Sequence, residues 1–396
     1  MSVRLLHTSD VHLGATFKML GERGGDQRRQ LQRTLANVVG LAIQERVDAV
    51  LVAGDLFDSV AAARLMAPFA REQLGRLGEA GIPVCAIAGN HDPLGAGSAG
   101  IWQRLAGECP HLTVFGAAPQ ARIFPDRDLT VIGRSVQDRL SSESPLAAFL
   151  AGGAAVADGT HTAGLARVPA GARPTRHVVG VFHGSVQRPD FETKFGLITP
   201  EEIGASGVDY LALGDWHSAQ NVSAGRVAAW YSGAPEMIGL DEPDSGNVCL
   251  VTVRGPGDVD VAPRRVGRRR AASITIDLAT AGGPDAVARL VGDRADRDLA
   301  LVVTLTGLVG LADRVLVDEL RDDLASEFFR LEIRDASHLR PEAVDPTQYQ
   351  ANTVLGRFVR QMHELLAARD GEERAIASDA LAYGVALLEG RTEILG

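Results

Sequence analysis

Val3-Arg4-Leu5-Leu6-His7-Thr8-Ser9-Asp10-Val11-His12 is a short apolar run that stops on two side chains able to bind a metal. Residues 3–8 read as a buried strand, and the polar cluster begins where the strand ends. The same grammar repeats downstream. Leu31, Leu35, Val38, Val39, Ala42 and Ile43 fall at helical spacing and predict a helix from about Asp26 to Arg46. Ala49–Ala53 is a second buried strand, ending in Gly54-Asp55. A helix over about Ala61–Ala80 leads to a third strand, Pro83–Ala88, ending in Gly89-Asn90-His91-Asp92. Continuous apolar strands alternating with helices predict an α/β fold, with parallel strands and helices on both faces. Ligands of such sheets sit beyond the carboxyl ends of the strands, where these polar clusters all fall.

The pattern continues less regularly. Leu112–Phe115 and Leu129–Ile132 read as strands, and residues 141–176, rich in Ala, Gly, Ser and Pro, as an irregular insertion. His177–Phe182 is a strand ending in His183-Gly184. Thr199-Pro200-Glu201-Glu202 has the form of a helix start with a capping box. Tyr210–Leu213 ends in Gly214-Asp215-Trp216-His217, and Val227–Tyr231 and Val248–Val253 are closing strands. Composition shifts after about Pro256, where Arg264, Arg265, Arg268, Arg269 and Arg270 cluster. Strands Ser273–Leu278, Ala300–Thr306 and Phe329–Ile333, with helices between them (the second about Ala312–Leu324), predict a small α/β module. Pro341 to Pro346 reads as a linker and 347–390 as mostly helical. The expected domains are therefore 1–255, 256–340 and 341–396.

Composition bounds the function. Hydrophobic residues make up 45% of the 396 and charged residues 23%, so a normal core can be buried. A net charge of −10 argues against a protein that coats nucleic acid through a global positive field, while leaving room for local basic patches. Cys85, Cys109 and Cys249 form no CxxC pair and leave an odd thiol, which points to a reducing, cytoplasmic setting. No run approaches the eighteen or so apolar residues of a membrane span, and the first residues lack the apolar core of a signal peptide.

The chemistry lies in the strand ends. Asp10 and His12, Asp55, Asn90 with His91, His183, and Asp215 with His217 each follow a buried strand directly. Any one alone is an ordinary turn. In series they converge on one crevice, because parallel strand ends do. Carboxylate, imidazole and amide oxygen suit manganese, iron or zinc rather than a thiolate-preferring ion. Seven of these eight, taken as ligands, exceed what one ion needs, whereas two ions sharing a carboxylate use them all and can activate water for in-line attack on phosphorus.

The motifs resemble a known family. His7-Thr8-Ser9-Asp10-Val11-His12-Leu13-Gly14, Gly54-Asp55-Leu56-Phe57-Asp58, Gly89-Asn90-His91-Asp92, Val181-Phe182-His183-Gly184 and Leu213-Gly214-Asp215-Trp216-His217 look like the five motifs of the calcineurin-like metallophosphoesterases. Within that superfamily they are most similar to the SbcD-type DNA repair exonuclease subunit. The resemblance covers about residues 1–255, and the regions beyond more loosely. It implies a metallophosphoesterase sandwich of mixed sheets flanked by helices, a small α/β cap domain and a helical tail. It implies that Asp10, His12 and His217 hold one metal and Asn90, His183 and Asp215 a second, with Asp55 bridging. His91 would face the leaving group, and Asp92 would orient His91. Asp58 either hydrogen-bonds beside the site or caps its turn. The implied cofactor is a pair of divalent transition metals of the Mn2+ type. The implied partners are DNA, an SbcC-type coiled-coil ATPase and a second copy of the chain. One position departs from the family, which usually has His where this chain has Asp215. A small-substrate phosphoesterase and a DNA-end scaffold with a weakened site are the alternatives.

Other residues take plainer readings. His7 is expected to be structural. His111, His161, His177, His338 and His363 lack partners by sequence and read as surface or loop histidines. The arginine cluster 264–270 could contact DNA phosphates or be a solvated linker, and the linker reading is preferred. Trp216, between two proposed ligands, is a better base-stacking candidate than Trp230, which reads as core. Val354, Phe358 and Met362 form an apolar stripe that either packs on the chain itself or docks the ATPase.

Overall fold

The computed structural model of the chain describes residues 2–95, 99–139, 142–156, 167–188, 195–309, 317–339 and 344–390, and falls into two compact units, Met1–Ala271 and Ala272–Gly396. The first unit begins with β1 (Val3–Thr8), α1 (Gly24–Gln44), β2 (Ala49–Ala53), α2 (Val60–Glu79), β3 (Val84–Ile87), α3 (Ala99–Glu108) and β4 (Leu112–Val114). Strands β1 to β3 lie parallel, as the apolar strand–helix alternation predicts, and β4 adds a fourth parallel strand after a helix, α3, that the sequence did not mark. Next come β5 (Gln120–Phe124), β6 (Leu129–Gly133), α4 (Ala147–Gly152), β7 (Ala154–Val156), β8 (Arg167–Val168), β9 (His177–His183), α5 (Pro200–Ala205), β10 (Tyr210–Gly214), β11 (Gln220–Asn221) and β12 (Ala228–Tyr231). The hairpin β13 (Asn247–Gly255) and β14 (Asp258–Arg265) follows. Among the described residues one sheet has the order β14-β13-β1-β2-β3-β4 and the other β11-β12-β10-β9-β6-β5-β7-β8. Both are mixed, since β13 runs antiparallel to β1 and β5 antiparallel to β6.

The strand alternation shows how the layers stack. Leu6, Val50, Val52 and Val84 point to one side, against Leu35, Val39, Leu74 and Leu77 of α1 and α2. Leu5, Leu51, Cys85 and Ile87 point to the other, against Val131, Val179, Val181 and Tyr210 of the second sheet. That sheet in turn covers its outer face with Phe149 of α4 and Ile203 of α5. Among the described residues each sheet thus carries helices on one face only, which corrects the expectation of helices on both. A continuous apolar strand reports that both faces are buried; it does not say whether a helix or a second sheet buries them. Two further expectations change. Part of 141–176 is regular, forming α4, β7 and β8, with residues 157–166 outside the described set. Strand β14 lies past the composition shift yet pairs along β13, so the first unit runs to Ala271.

The second unit holds β15 (Arg270–Asp277), α6 (Pro284–Gly292), β16 (Leu299–Thr306), β17 (Leu308–Val309), α7 (Val317–Leu324), β18 (Arg330–Asp335), β19 (His338–Leu339), α8 (Val354–Ala367) and α9 (Gly371–Leu388). Its sheet β15-β16-β18 packs Leu301, Val303 and Leu331 on Val287 and Val291 of α6 and Leu320 of α7. In the tail, Phe358 and Met362 pack with Val359, Leu381 and Val385 between α8 and α9. Two of the three stripe residues are therefore internal, while Val354 is 73% exposed. No described helix is long and apolar enough to cross a membrane.

Leu51, fully buried between the two sheets, tests the layer order. Leu51→Ala is expected to lower stability by about 2–5 kcal/mol in urea unfolding, because both sheets border the void. A loss below about 1 kcal/mol would mean that the sheets do not close on this residue.

Candidate metal centre

The strand ends meet because the loops after them are hydrogen-bonded to one another. The N–H of Asp10 donates to the Gly54 carbonyl (3.1 Å), that of His12 to Asp55 (3.0 Å) and that of Leu13 to Leu56 (2.9 Å). The turn after β1 is thus strapped along the turn after β2. This sharp reversal places Asp10 (φ 51°), His12 (φ 49°) and Asp55 (φ 51°) in left-handed backbone, and Asp215 (φ 105°) also has positive φ. Such strain persists only where surrounding contacts over-determine it, and it concentrates at functional sites. The glycines of the motifs are explained by close approach. A Cβ on Gly89 would stand 2.2 Å from Asp55 Oδ1, and one on Gly54 2.3 Å from His183 Nδ1.

Asp55, almost fully buried, lies at the centre. Its Oδ2 is 3.8 Å from His12 Nε2 and 3.6 Å from His183 Nε2. On the His12 side, the Nε2 atoms of His12 and His217 face each other at 3.3 Å, and ligand atoms of Asp10, His12 and His217 all lie within 4.8 Å of one another. On the other side, Asp10, Asp55 and His183 meet the same criterion. There His183 Nδ1 is 2.8 Å from the Ala53 carbonyl, which takes its proton and turns Nε2 inward. That Nε2 stands 2.8 Å from Asn90 Oδ1. The carboxylate of Asp215 splits its contacts. Oδ1 is 3.9 Å from His183 Nε2, and Oδ2 accepts from the Ser185 hydroxyl.

His91 sits at the edge. Its N–H donates to Asp55 Oδ1 (2.8 Å), its Nδ1 pairs with the Asp58 carbonyl (3.0 Å), and its ring meets that of His12 edge-on at 4.6 Å. Asp58 also places Oδ1 3.5 Å from His12 Nδ1. The orienting contact to His91 expected from Asp92 thus comes from the Asp58 backbone. The Asp92 carboxylate instead accepts from Gly89 N (2.7 Å) and Phe57 N (3.0 Å), tying the turns after β2 and β3 together. Burial, reinforced by Asp55, pushes its pKa up to about 7.

The electrostatics show why the residues suit cations. Burial by itself would lower the pKa of His183, yet Asp55, Asp10 and Asp215 raise it to about 9. His217 likewise rises to about 9 against its burial, through Glu242, Asp10 and Asp55. Burial pushes Asp55 up, but His183, His12 and His91 outweigh it and hold the carboxylate below its ordinary value. Burial raises Asp215, with His183 and Ser185 opposing. The acids demand more positive charge than neutral imidazoles supply. Moreover, two facing Nε2 atoms can share at most one proton, and His183 Nε2 facing Asn90 Oδ1 needs a proton or a cation between them. Oxygen and imidazole donors converging in this way fit divalent transition metals.

Sequence reasoning missed Glu242 and Ser185. Glu242 Oε1 lies 2.5 Å from His217 Nδ1, and its Oε2 accepts from Gly239 N (3.0 Å). This carboxylate fixes the His217 ring so that Nε2 faces His12. Glu242 lies in a loop without a strand-end signature, so nothing local marks it; Ser185 at least follows His183-Gly184 directly. The remaining histidines are mostly structural. His7 is fully buried between Tyr210 OH (2.8 Å) and the Leu213 carbonyl (3.2 Å), and burial lowers its pKa to about 3. His177, expected on the surface, is buried in β9. His111 bonds the Leu74 carbonyl and His363 the Val344 carbonyl, His338 stacks near Tyr383, and His161 lies outside the described residues. The Arg188 guanidinium lies over the Trp216 ring at 4.5 Å, so one candidate stacking face already carries a cation.

Residues 3–152 match the family model described as Metallophos, calcineurin-like phosphoesterase. The chain is 27% identical over 297 residues to the uncharacterized metallophosphoesterase YhaO of Bacillus subtilis, covering 73% of this chain and spanning 66% of that protein. It is 28% identical over 391 residues to the DNA double-strand break repair protein Mre11 of Haloferax volcanii, covering 95% and 78%. It is 23% identical over 299 residues to a component of the nuclease SbcCD of Bacillus subtilis, covering 65% and 67%.

Glu242→Ala frees the His217 ring. Manganese affinity measured by titration calorimetry is expected to weaken about 10–100-fold, the usual worth of such an orienting partner. Unchanged affinity would show that the Glu242–His217 bond has no part in metal binding.

Proposed function

The chain carries a calcineurin-like metallophosphoesterase domain, and from that premise we propose that its centre hydrolyses phosphodiester bonds in DNA, as a manganese-dependent exo/endonuclease of repair or recombination. The observation that carries this reading is Asp55 Oδ2 lying between the inward Nε2 atoms of His12 and His183. A carboxylate so placed suits two ions rather than one. In this reading Asp10, His12 and His217 hold the first, Asn90, His183 and Asp215 the second, and Asp55 both. When bound, the ions supply Lewis acidity to the phosphate and acidify water. The chain's own groups do the rest. The Asp58 carbonyl accepts the Nδ1–H of His91 and leaves Nε2, which in the imidazolium form carries the ring's second proton, free to donate that proton to the departing oxygen. Glu242 and Ala53 keep the imidazoles of His217 and His183 turned inward.

The names of the similar proteins, a DNA double-strand break repair protein and a nuclease component, support a polymeric substrate. The part of the expected cap beyond the first unit, residues 272–340, would then act as a cap and 341–396 as the docking tail for an SbcC-type ATPase, the chain working as a homodimer. The tail's exposed Val354, Ile376 and Leu388 support the docking role. Three buried free cysteines accord with a cytoplasmic location.

His91→Ala is expected to keep its full metal content in elemental analysis while turnover falls roughly 10²–10⁴-fold. Loss of metal would make His91 a ligand instead.

A second reading, a DNA-end scaffold with a weakened site, rests on the Ser185–Asp215 contact, which draws one carboxylate oxygen away from the centre. Under the nuclease reading, Asp215→Ala lowers manganese occupancy and DNA cleavage together, and Asp215→His retains both. Under the scaffold reading, wild-type cleavage is low and Asp215→His raises it. Asp215→Ala matching the wild type at every manganese concentration would remove Asp215 from the ligand set.

A further inference from the structure

Two runs of cations far apart in sequence meet in the first unit, and a buried carboxylate joins them. Glu236 is fully buried. Its Oε2 accepts from Thr34 Oγ1 (2.6 Å) and Gln30 Nε2 (3.3 Å) of α1. The same carboxylate accepts the backbone N–H groups of Arg268 (2.9 Å) and Arg269 (2.8 Å). Gln27 Nε2 adds a bond to the Met237 carbonyl (2.7 Å). One face of α1 is therefore clamped to the arginine run 264–270. The helix is itself basic, with Arg28, Arg29 and Arg33 exposed beside the clamped face, Arg29 pairing with Asp26 at 2.5 Å. In the clamped run, Arg264 and Arg268 are exposed. The run is crowded: partial burial and then the neighbouring Arg270 hold the Arg265 guanidinium below its ordinary value, with Glu236 opposing.

Chain continuity ties this ridge to the candidate centre at two points. Segment 236–242 begins at the clamp and ends at Glu242, on His217 Nδ1. At the start of α1, Arg28 Nη1 bonds the Thr16 carbonyl (2.8 Å), just past His12. From Gly24 to Arg33 the helix rises about 14 Å, several phosphate steps of a duplex strand. A chain of net charge −10 that gathers arginines in one place creates a local field of opposite sign to its own total.

We infer that the α1/264–270 ridge is a phosphate track for double-stranded DNA, leading the duplex to the centre from its His12–His217 side. The inference rests on the DNA-nuclease reading and replaces the solvated-linker reading of the arginine run. The track acts through charge and not base contacts, so it is strongly salt-dependent and indifferent to sequence.

The test is a triple variant, Arg33→Ala, Arg264→Ala and Arg268→Ala, in the full chain. Duplex binding is followed by fluorescence anisotropy across a range of salt concentrations. Hydrolysis of bis(p-nitrophenyl) phosphate with manganese, and thermal melting, are measured alongside. The expected result is weaker duplex binding, with a slope of log affinity against log salt shallower by roughly 0.9 per lost contact. Small-diester hydrolysis and melting should match the wild type. The same affinity and slope in variant and wild type would overturn the track. A wild type that hydrolyses no diester with any divalent metal would overturn the nuclease reading, whereas duplex affinity lost only in the variant would still uphold the track.

Discussion

The buried carboxylate of Asp55 sets the terms for the rest of the first unit. It lies between two inward-turned imidazoles, accepts the N–H of His91, and leaves no room for a Cβ on Gly89. Burying an acid is costly unless positive charge or hydrogen-bond donors meet it. Here three histidines meet it, supplied from the carboxyl ends of β1, β3 and β9. The two stacked sheets satisfy this requirement together, because β1 and β3 of one and β9 of the other deliver their following turns to the same edge of the sandwich. The strap between the turns after β1 and β2, and the two N–H bonds taken by Asp92, then hold that edge rigid.

A second tier of groups decides which way the ligands point. Ala53, Glu242 and the Asp58 carbonyl each engage one ring nitrogen of a histidine and thereby direct the other. Ser185 does the corresponding work on Asp215. The departure at Asp215 therefore comes with a local partner. An imidazole there would have no carboxylate oxygen to accept the Ser185 hydroxyl, and the aspartate adds a further acid to a centre already short of positive charge. The clamp at Glu236 belongs to the same design, since the segment that carries it also carries Glu242. The candidate metal centre and the proposed ridge are thus both tied to segment 236–242.

The strand-end motifs were legible in the sequence because each is local: an apolar run, a glycine and a ligand within a few residues. That pattern determined the parallel run of β1, β2 and β3, the α/β class and the gathering of Asp10, His12, Asp55, Asn90, His183, Asp215 and His217 at one crevice; α3 and the parallel place of β4 beside β3 came from the structure. The two-sheet sandwich was carried by resemblance alone, since an apolar strand such as Ala49–Ala53 has the same composition whether helices or a second sheet cover it. Glu242, the Asp92 bonds, the burial of His177 and the meeting of α1 with the 264–270 arginines were decided only by the tertiary structure. Glu242 with His217, Asp92 with Phe57 and α1 with the arginine run each join residues from separate elements with no shared periodicity. Their role is set by distance in space, which sequence spacing does not encode.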